Sequence, residues 1–188
     1  MLDKPALRQR ARRLRHEYVQ SLTLDARSAL HVALADRVVE RLDPGSVVAS
    51  YVAAGSEIDP RAIDRRALKL GFEIAYPWFT DRDAAMLFRR GDSFVAGPFG
   101  IPQPGAEGTL LVPDIVLVPM LAADTQGTRL GQGKGHYDRA LATLLKDKPL
   151  FTIGLAYDMQ IADELPRDDW DIPLDAIATP TRWIDILP

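Results

Sequence analysis

Between Gly127 and Arg139 the chain reads Gly-Thr-Arg-Leu-Gly-Gln-Gly-Lys-Gly-His-Tyr-Asp-Arg, with four of its thirteen glycines inside nine positions. Glycine lets a backbone turn through positive φ and approach a ligand closely. Successive amide N–H groups can then converge on one anion, and Arg129 and Lys134 add full positive charge. The stretch therefore reads as a phosphate cradle that runs into a helix N-terminus near His136. Its spacing is neither that of a Walker A loop nor that of the dinucleotide fingerprint. A plain surface loop would account for the glycines but not for the charges packed between them.

Other residues could act on the same anion. Lys4 and Arg8 are four apart in a predicted helix, so they share a face and can clamp a polyanion. Asp138 and Asp171 offer oxygen ligands for Mg²⁺, an ion that usually binds alongside substrate phosphates. Glu57, in a polar turn after a predicted strand, can receive amine or amide donors of a ring, whereas its neighbour Asp59 reads as a helix cap before Pro60. His16, His31 and His136 are too scattered for a zinc site; the first two read as surface residues. No serine sits in a G-x-S-x-G turn, so a Ser-His-Asp hydrolase has no support.

The elements that must position these residues follow from periodicity. Residues 4 to about 20 suit an amphipathic helix with Leu7, Ala11, Leu14 and Tyr18 on its apolar face, and a second helix spans about 24–42. Strands are predicted at 47–53, 72–77, 86–88, 114–119, 151–156 and 176–179, with helices from Pro60 and His136. Residues 91–113, with five glycines and four prolines, read as a long irregular crossing. Strands alternating with helices predict an α/β fold, a single layered domain over 1–188 with a mostly parallel central sheet flanked by helices. Ligand turns at Glu57, at Asp124 through Asp138 and at Asp171 are expected after strands, at one edge of that sheet.

Composition narrows the class. A net charge of −3 gives no global basic field for nucleic acid, and the basic first helix lacks interleaved aromatics. The absence of cysteine excludes disulfides and thiolate nucleophiles. No signal-peptide core and no run near the roughly 18 apolar residues of a membrane span is present, so a cytoplasmic protein with no membrane partner is expected.

The segment 127–139 resembles the signature loop of the 5-formyltetrahydrofolate cyclo-ligase (methenyltetrahydrofolate synthetase) family. Lys4 and Arg8 match that family's N-terminal K-x-x-x-R. Ser56 to Asp59, Gly97 to Pro104, Asp114 to Pro119 and Asp171 to Asp175 are similar to its other segments, in the same order. The chain departs from the pattern at Met120 and Ala123, and at His136, where the family usually has tyrosine.

The resemblance implies an ATP- and Mg²⁺-dependent ligase that cyclises 5-formyltetrahydrofolate to 5,10-methenyltetrahydrofolate, as a monomer or weak dimer. It implies that Lys4, Arg8, Arg129, Leu130, Gly131, Gln132, Gly133, Lys134, Gly135, His136, Tyr137 and Asp138 bind ATP, with Lys134 and Arg129 catalytic. Asp138 and Asp171 would hold the metal. Glu57 would hold the pterin, and Tyr51, Val52, Trp78, Met86 and Tyr137 would wall its pocket. The rival reading is an ATP-binding paralogue with another substrate or a non-catalytic regulatory role.

Overall fold

The computed structural model describes residues 3–186. Its frame is a seven-stranded sheet ordered β12-β11-β9-β6-β1-β2-β3. The strands are β1 (Val47–Ala49), β2 (Glu73–Trp78), β3 (Leu87–Arg90), β6 (Ile115–Pro119), β9 (Phe151–Leu155), β11 (Ala176–Ala178) and β12 (Trp183–Asp185). The five strands from β2 through β11 pair in parallel, while β3 and β12 close the two edges antiparallel. Val116, Leu117 and Val118 are all fully buried, because a parallel sheet is covered on both faces.

Helices α1 (Lys4–Ser21), α2 (Leu24–Val39) and α3 (Arg61–Lys69) serve one face, where Leu34, Val38, Ile63 and Ala67 meet Val48, Leu117 and Ile153. Helix α4 (His136–Asp147) serves the other, packing Ala140 and Leu141 with Val116, Val118 and Ile177. Asp3 and Thr23 cap α1 and α2 by accepting from Ala6 N and Ala26 N. The expected cap of α3 is displaced by one residue. Pro60 holds the cap position without a side-chain bond, while Asp59 Oδ1 accepts from Arg61 N at 3.0 Å.

Four local readings change. Leu14 is exposed, and Arg15 is the buried residue of α1. His31 is half-buried, with Nε2 3.1 Å from the Tyr157 hydroxyl. The crossing 91–113 contains a hairpin, β4 (Phe94–Ala96) with β5 (Pro102–Pro104). A small sheet of β7 (Ala122–Asp124), β8 (Arg129–Leu130) and β10 (Ile161–Ala162) forms beside the main one. No helix among the described residues is long and apolar enough to cross a membrane.

Candidate active site

A cleft of about 840 Å³ opens where β1 and β6 end and α1, the β4–β5 hairpin and the glycine loop meet. Its position outside the carboxyl ends of parallel strands is the usual ligand crevice of such a fold. Of the residues expected at the site, Lys4, Arg8, Tyr51, Val52, Glu57, Met86, Tyr137, Asp138 and Asp171 line it, together with the whole run Gly131–His136.

The glycine loop is shaped by its backbone. Gly133 has φ +95° and Gly135, the N-cap of α4, has φ +65°, conformations that L side chains rarely adopt. A Cβ at Gly133 would meet the Arg8 guanidinium at 3.3 Å, so the absence of a side chain lets α1 and the loop approach. Arg8 Nε donates to Gly131 O at 3.1 Å. Asp138 falls in the first turn of α4, where a carboxylate suits the helix dipole.

Arg15 bolts α1 to two strand ends. Its Nε donates to Ser56 Oγ at 3.1 Å and its Nη1 to Met120 O at 2.9 Å. The turn thus anchored carries Glu57, whose Oε2 accepts from Ala54 N at 2.9 Å while Oε1 lies 3.5 Å from Gln132 Nε2. Tyr51 lines the cleft with its ring, since its hydroxyl donates to Ile58 O at 2.6 Å. Burial holds the Tyr51 and Tyr137 hydroxyls well above their usual range, and both stay neutral at physiological pH.

Further charged groups line the cleft. Lys4 Nζ lies 2.6 Å from both Asp168 Oδ2 and Asp171 Oδ2. Burial works to lower the Lys4 pKa, but the two carboxylates outweigh it and hold the ammonium above its ordinary value. Burial likewise works to raise Asp171, and the bonds from Lys4 and Asp168 N keep it below the usual carboxylate range. Burial, with Arg139 and Lys134 nearby, lowers the pKa of His136. Its Nδ1 is 3.1 Å from Arg139 Nη2, and its Nε2 is buried without a hydrogen-bond partner among the described residues.

Three expected site residues lie off the cleft wall. Arg129 is buried, donating from Nη2 to Asp138 Oδ1 and from Nη1 to Ile172 O. Burial lowers its pKa, opposed by Asp138 and Asp171. Leu130 packs with Ala122 and Leu165 under the small sheet. Trp78 lies beneath the Arg89 guanidinium, 4.2 Å from ring centroid to Cζ. Asp124 is a structural acid rather than part of a ligand turn. Fully covered, it accepts from Gln126 N, Thr128 N and Leu165 N. Asp171 precedes β11 instead of following a strand of the main sheet.

Residues not singled out from sequence also line the cleft, among them Tyr76, Phe79, Phe99, Gln103, Asp168 and Trp170. The signal for Phe99 and Gln103 was the dense Gly-Pro pattern of 97–104; Asp168 carried none.

Among the described residues, no group of three or more His or acidic side chains converges as a cation cage. Asp138 and Asp171 fit the looser mode in which Mg²⁺ takes one or two carboxylates and completes its shell with water and phosphate. Asp138 uses Oδ1 and Asp171 uses Oδ2 toward protein donors, and the second oxygen of each accepts no hydrogen bond among the described residues.

The fold and cleft thus define an α/β protein with an anion-cradling glycine loop at the crevice of a mainly parallel sheet. The family model for 5-formyltetrahydrofolate cyclo-ligases matches residues 1–180, and the chain belongs to that enzyme family. It is 34% identical over 153 residues to the 5-formyltetrahydrofolate cyclo-ligase of Mycolicibacterium smegmatis, covering 74% of this chain and 76% of the relative. Identity to the Escherichia coli K12 enzyme of the same name is 29% over 145 residues, covering 72% and 78%. The solved 5,10-methenyltetrahydrofolate synthetase of Mycoplasma pneumoniae superposes with TM-score 0.72 at 25% identity, covering 95% of this chain and 99% of that one. That of Aquifex aeolicus gives TM-score 0.72 at 29% identity, covering 97% and 94%.

Proposed function

We propose that the protein converts 5-formyltetrahydrofolate to 5,10-methenyltetrahydrofolate with ATP and Mg²⁺, releasing ADP and phosphate. The observation that carries this reading is the cleft itself. It brings the cationic groups Lys4, Arg8 and Lys134 of α1 and the glycine loop together with the apolar walls Tyr51, Val52, Phe79 and Met86 and with Glu57. The cationic groups suit a triphosphate, and the apolar walls with Glu57 suit a flat heterocycle with amine donors.

In the proposed reaction the formyl oxygen bonds to the γ-phosphorus as the bond to the β-bridging oxygen breaks and ADP leaves. N10 then attacks the activated formyl carbon and loses its proton. Phosphate departs with the former formyl oxygen, giving the methenyl cation. No protein nucleophile is needed, so positioning and charge stabilisation carry the catalysis. Lys134 stabilises charge on the transferred group. Lys4, Arg8 and the amides of Gly131–Gly135 hold the phosphates, and Glu57 accepts from the heterocycle. Arg129 orients Asp138 from behind. Mg²⁺, held by Asp138 and Asp171, would neutralise phosphate charge. Residues 1–188 would act as one cytoplasmic unit, monomeric or weakly dimeric, on small molecules.

The test is a spectrophotometric assay for the methenyl product with ATP, Mg²⁺ and 5-formyltetrahydrofolate. Wild-type protein is expected to form it, and Lys134→Ala to lose about 100-fold or more in kcat. ATP binding without methenyl product at high protein concentration would instead support a paralogue with another substrate or a regulator.

A further inference from the structure

The segment Gly97–Pro104 has no role in the reaction just described, yet it reaches across the cleft to the glycine loop. Phe99 stands at its tip. The Lys134 ammonium lies 4.3 Å from the centroid of the Phe99 ring, a cation–π distance. The ring is itself braced. It meets Phe79 edge-on at 5.2 Å and His136 at 5.1 Å, and Phe79 and His136 meet at 5.1 Å. Phe79 is fixed through its backbone, since Gln103 Nε2 donates to Phe79 O at 2.9 Å and Phe79 N donates to Gln103 Oε1 at 3.2 Å. The hairpin therefore holds both phenylalanines, and they hold the ring on which Lys134 rests.

The two cleft lysines are held in different ways. Lys4 is bound by two carboxylates that accept hydrogen bonds from its ammonium. Lys134 Nζ donates no hydrogen bond among the described residues, and its neighbour is the face of an aromatic ring. A π face attracts the charge without neutralising it and accepts at most a weak N–H contact, so the donors turned away from the ring remain for a ligand. A carboxylate in the same place would neutralise the charge and occupy donors. A freely rotating lysine would have to be ordered during the reaction, at a cost in side-chain entropy.

We infer that Phe99 is a positioning residue for the phosphoryl-transfer step: its ring holds the Lys134 ammonium over the cleft and leaves the donors turned away from it free. The inference rests on the proposed role of Lys134. It predicts that a substitution preserving bulk but not the ring lowers kcat, because the contact supports charge stabilisation that is strongest in the transition state.

The test pairs spectroscopy with kinetics. In protein carrying ¹³C at the lysine ε carbons, one ε resonance is expected upfield, shifted by the ring current and assigned by its loss in Lys134→Arg. In Phe99→Leu it should move to the ordinary lysine position, and in Phe99→Tyr and Phe99→Trp it should stay upfield. In the methenyl assay, Phe99→Leu should lower kcat by about two- to fivefold, the size of an exposed cation–π contact. The KM values should change less, and Tyr or Trp should restore the rate. A wild-type spectrum with no ring-shifted ε resonance would overturn the inference, as would a Phe99→Leu loss confined to KM. If wild-type protein forms no methenyl product, the functional reading fails instead, and the ε resonance alone decides whether Phe99 holds Lys134.

Discussion

Arg129 and Asp138 stand nine residues apart on either side of the glycine loop and join guanidinium to carboxylate beneath it. The pair closes the loop into a ring whose base is buried and whose rim, Gly131 to His136, faces the cleft. The same guanidinium reaches Ile172 O, so the loop is also tied to the turn that carries Asp171.

Removing Arg129 should therefore cost stability first. Arg129→Met leaves Asp138 and Ile172 O without their donor in a partly covered place, a loss of about 2–3 kcal/mol. Urea unfolding is the measurement. In a double-mutant cycle with Asp138→Asn, the combined loss should be smaller than the sum of the single losses, because both remove one contact.

The tie from Lys4 to Asp168 and Asp171 predicts a pH window. The folded Asp171 carboxyl titrates below its unfolded value, so its contribution is present above about pH 4 and is lost as pH falls through the folded value. Lys4 titrates above its unfolded value, so its contribution is present below about pH 10 and is lost as pH rises further. Lys4→Ala should lower stability by about 1 kcal/mol between those limits, with little effect beyond them. It should also weaken ATP binding, measured by calorimetry.

Asp64 gives the opposite sign. It is buried in α3, its Oδ2 accepts from the Tyr76 hydroxyl at 2.9 Å, and its Oδ1 has no hydrogen-bond partner among the described residues. Burial pushes its carboxyl from 3.8 up to about 6. Its contribution is present below the unfolded value and is lost as pH rises from about 4 to about 6. The loss is on the order of 3 kcal/mol at most. Asp64→Asn keeps an acceptor for Tyr76 and carries no charge, so it should raise the thermal midpoint at pH 7 and flatten stability across that range.

Gly133→Ala should separate binding from stability. The positive φ strains any Cβ by about 1 kcal/mol, and the methyl also presses on the Arg8 guanidinium. Urea unfolding should show only that modest loss, while calorimetry should show a several-fold rise in the Kd for ATP.

Parts of this architecture were legible because they are mainly apolar runs of strand length. Ile115–Pro119 and Phe151–Leu155 are short, apolar and β-branched, and both are strands of the parallel sheet. The glycine loop was legible from composition alone. Ala122–Asp124 and Arg129–Leu130 were not legible as strands. They are three and two residues long, and pairing across a turn fixes them rather than propensity. Arg15 was hidden for another reason. A guanidinium in an arginine-rich helix looks solvent-facing until Ser56 and Met120, far along the chain, supply its acceptors. Arg129 looked like a phosphate ligand by its neighbours in sequence, but its partners in space occupy it.

The bond between Lys4 and Asp168 spans 164 residues, so its two partners leave the ribosome far apart in time. The first cationic turn of α1 leaves the exit tunnel long before the carboxylates that seat it have been translated. A nascent chain ending before Asp168 lacks these anchors for α1. The α1 side of the cleft is thus seated only after residues 168–171 have been made.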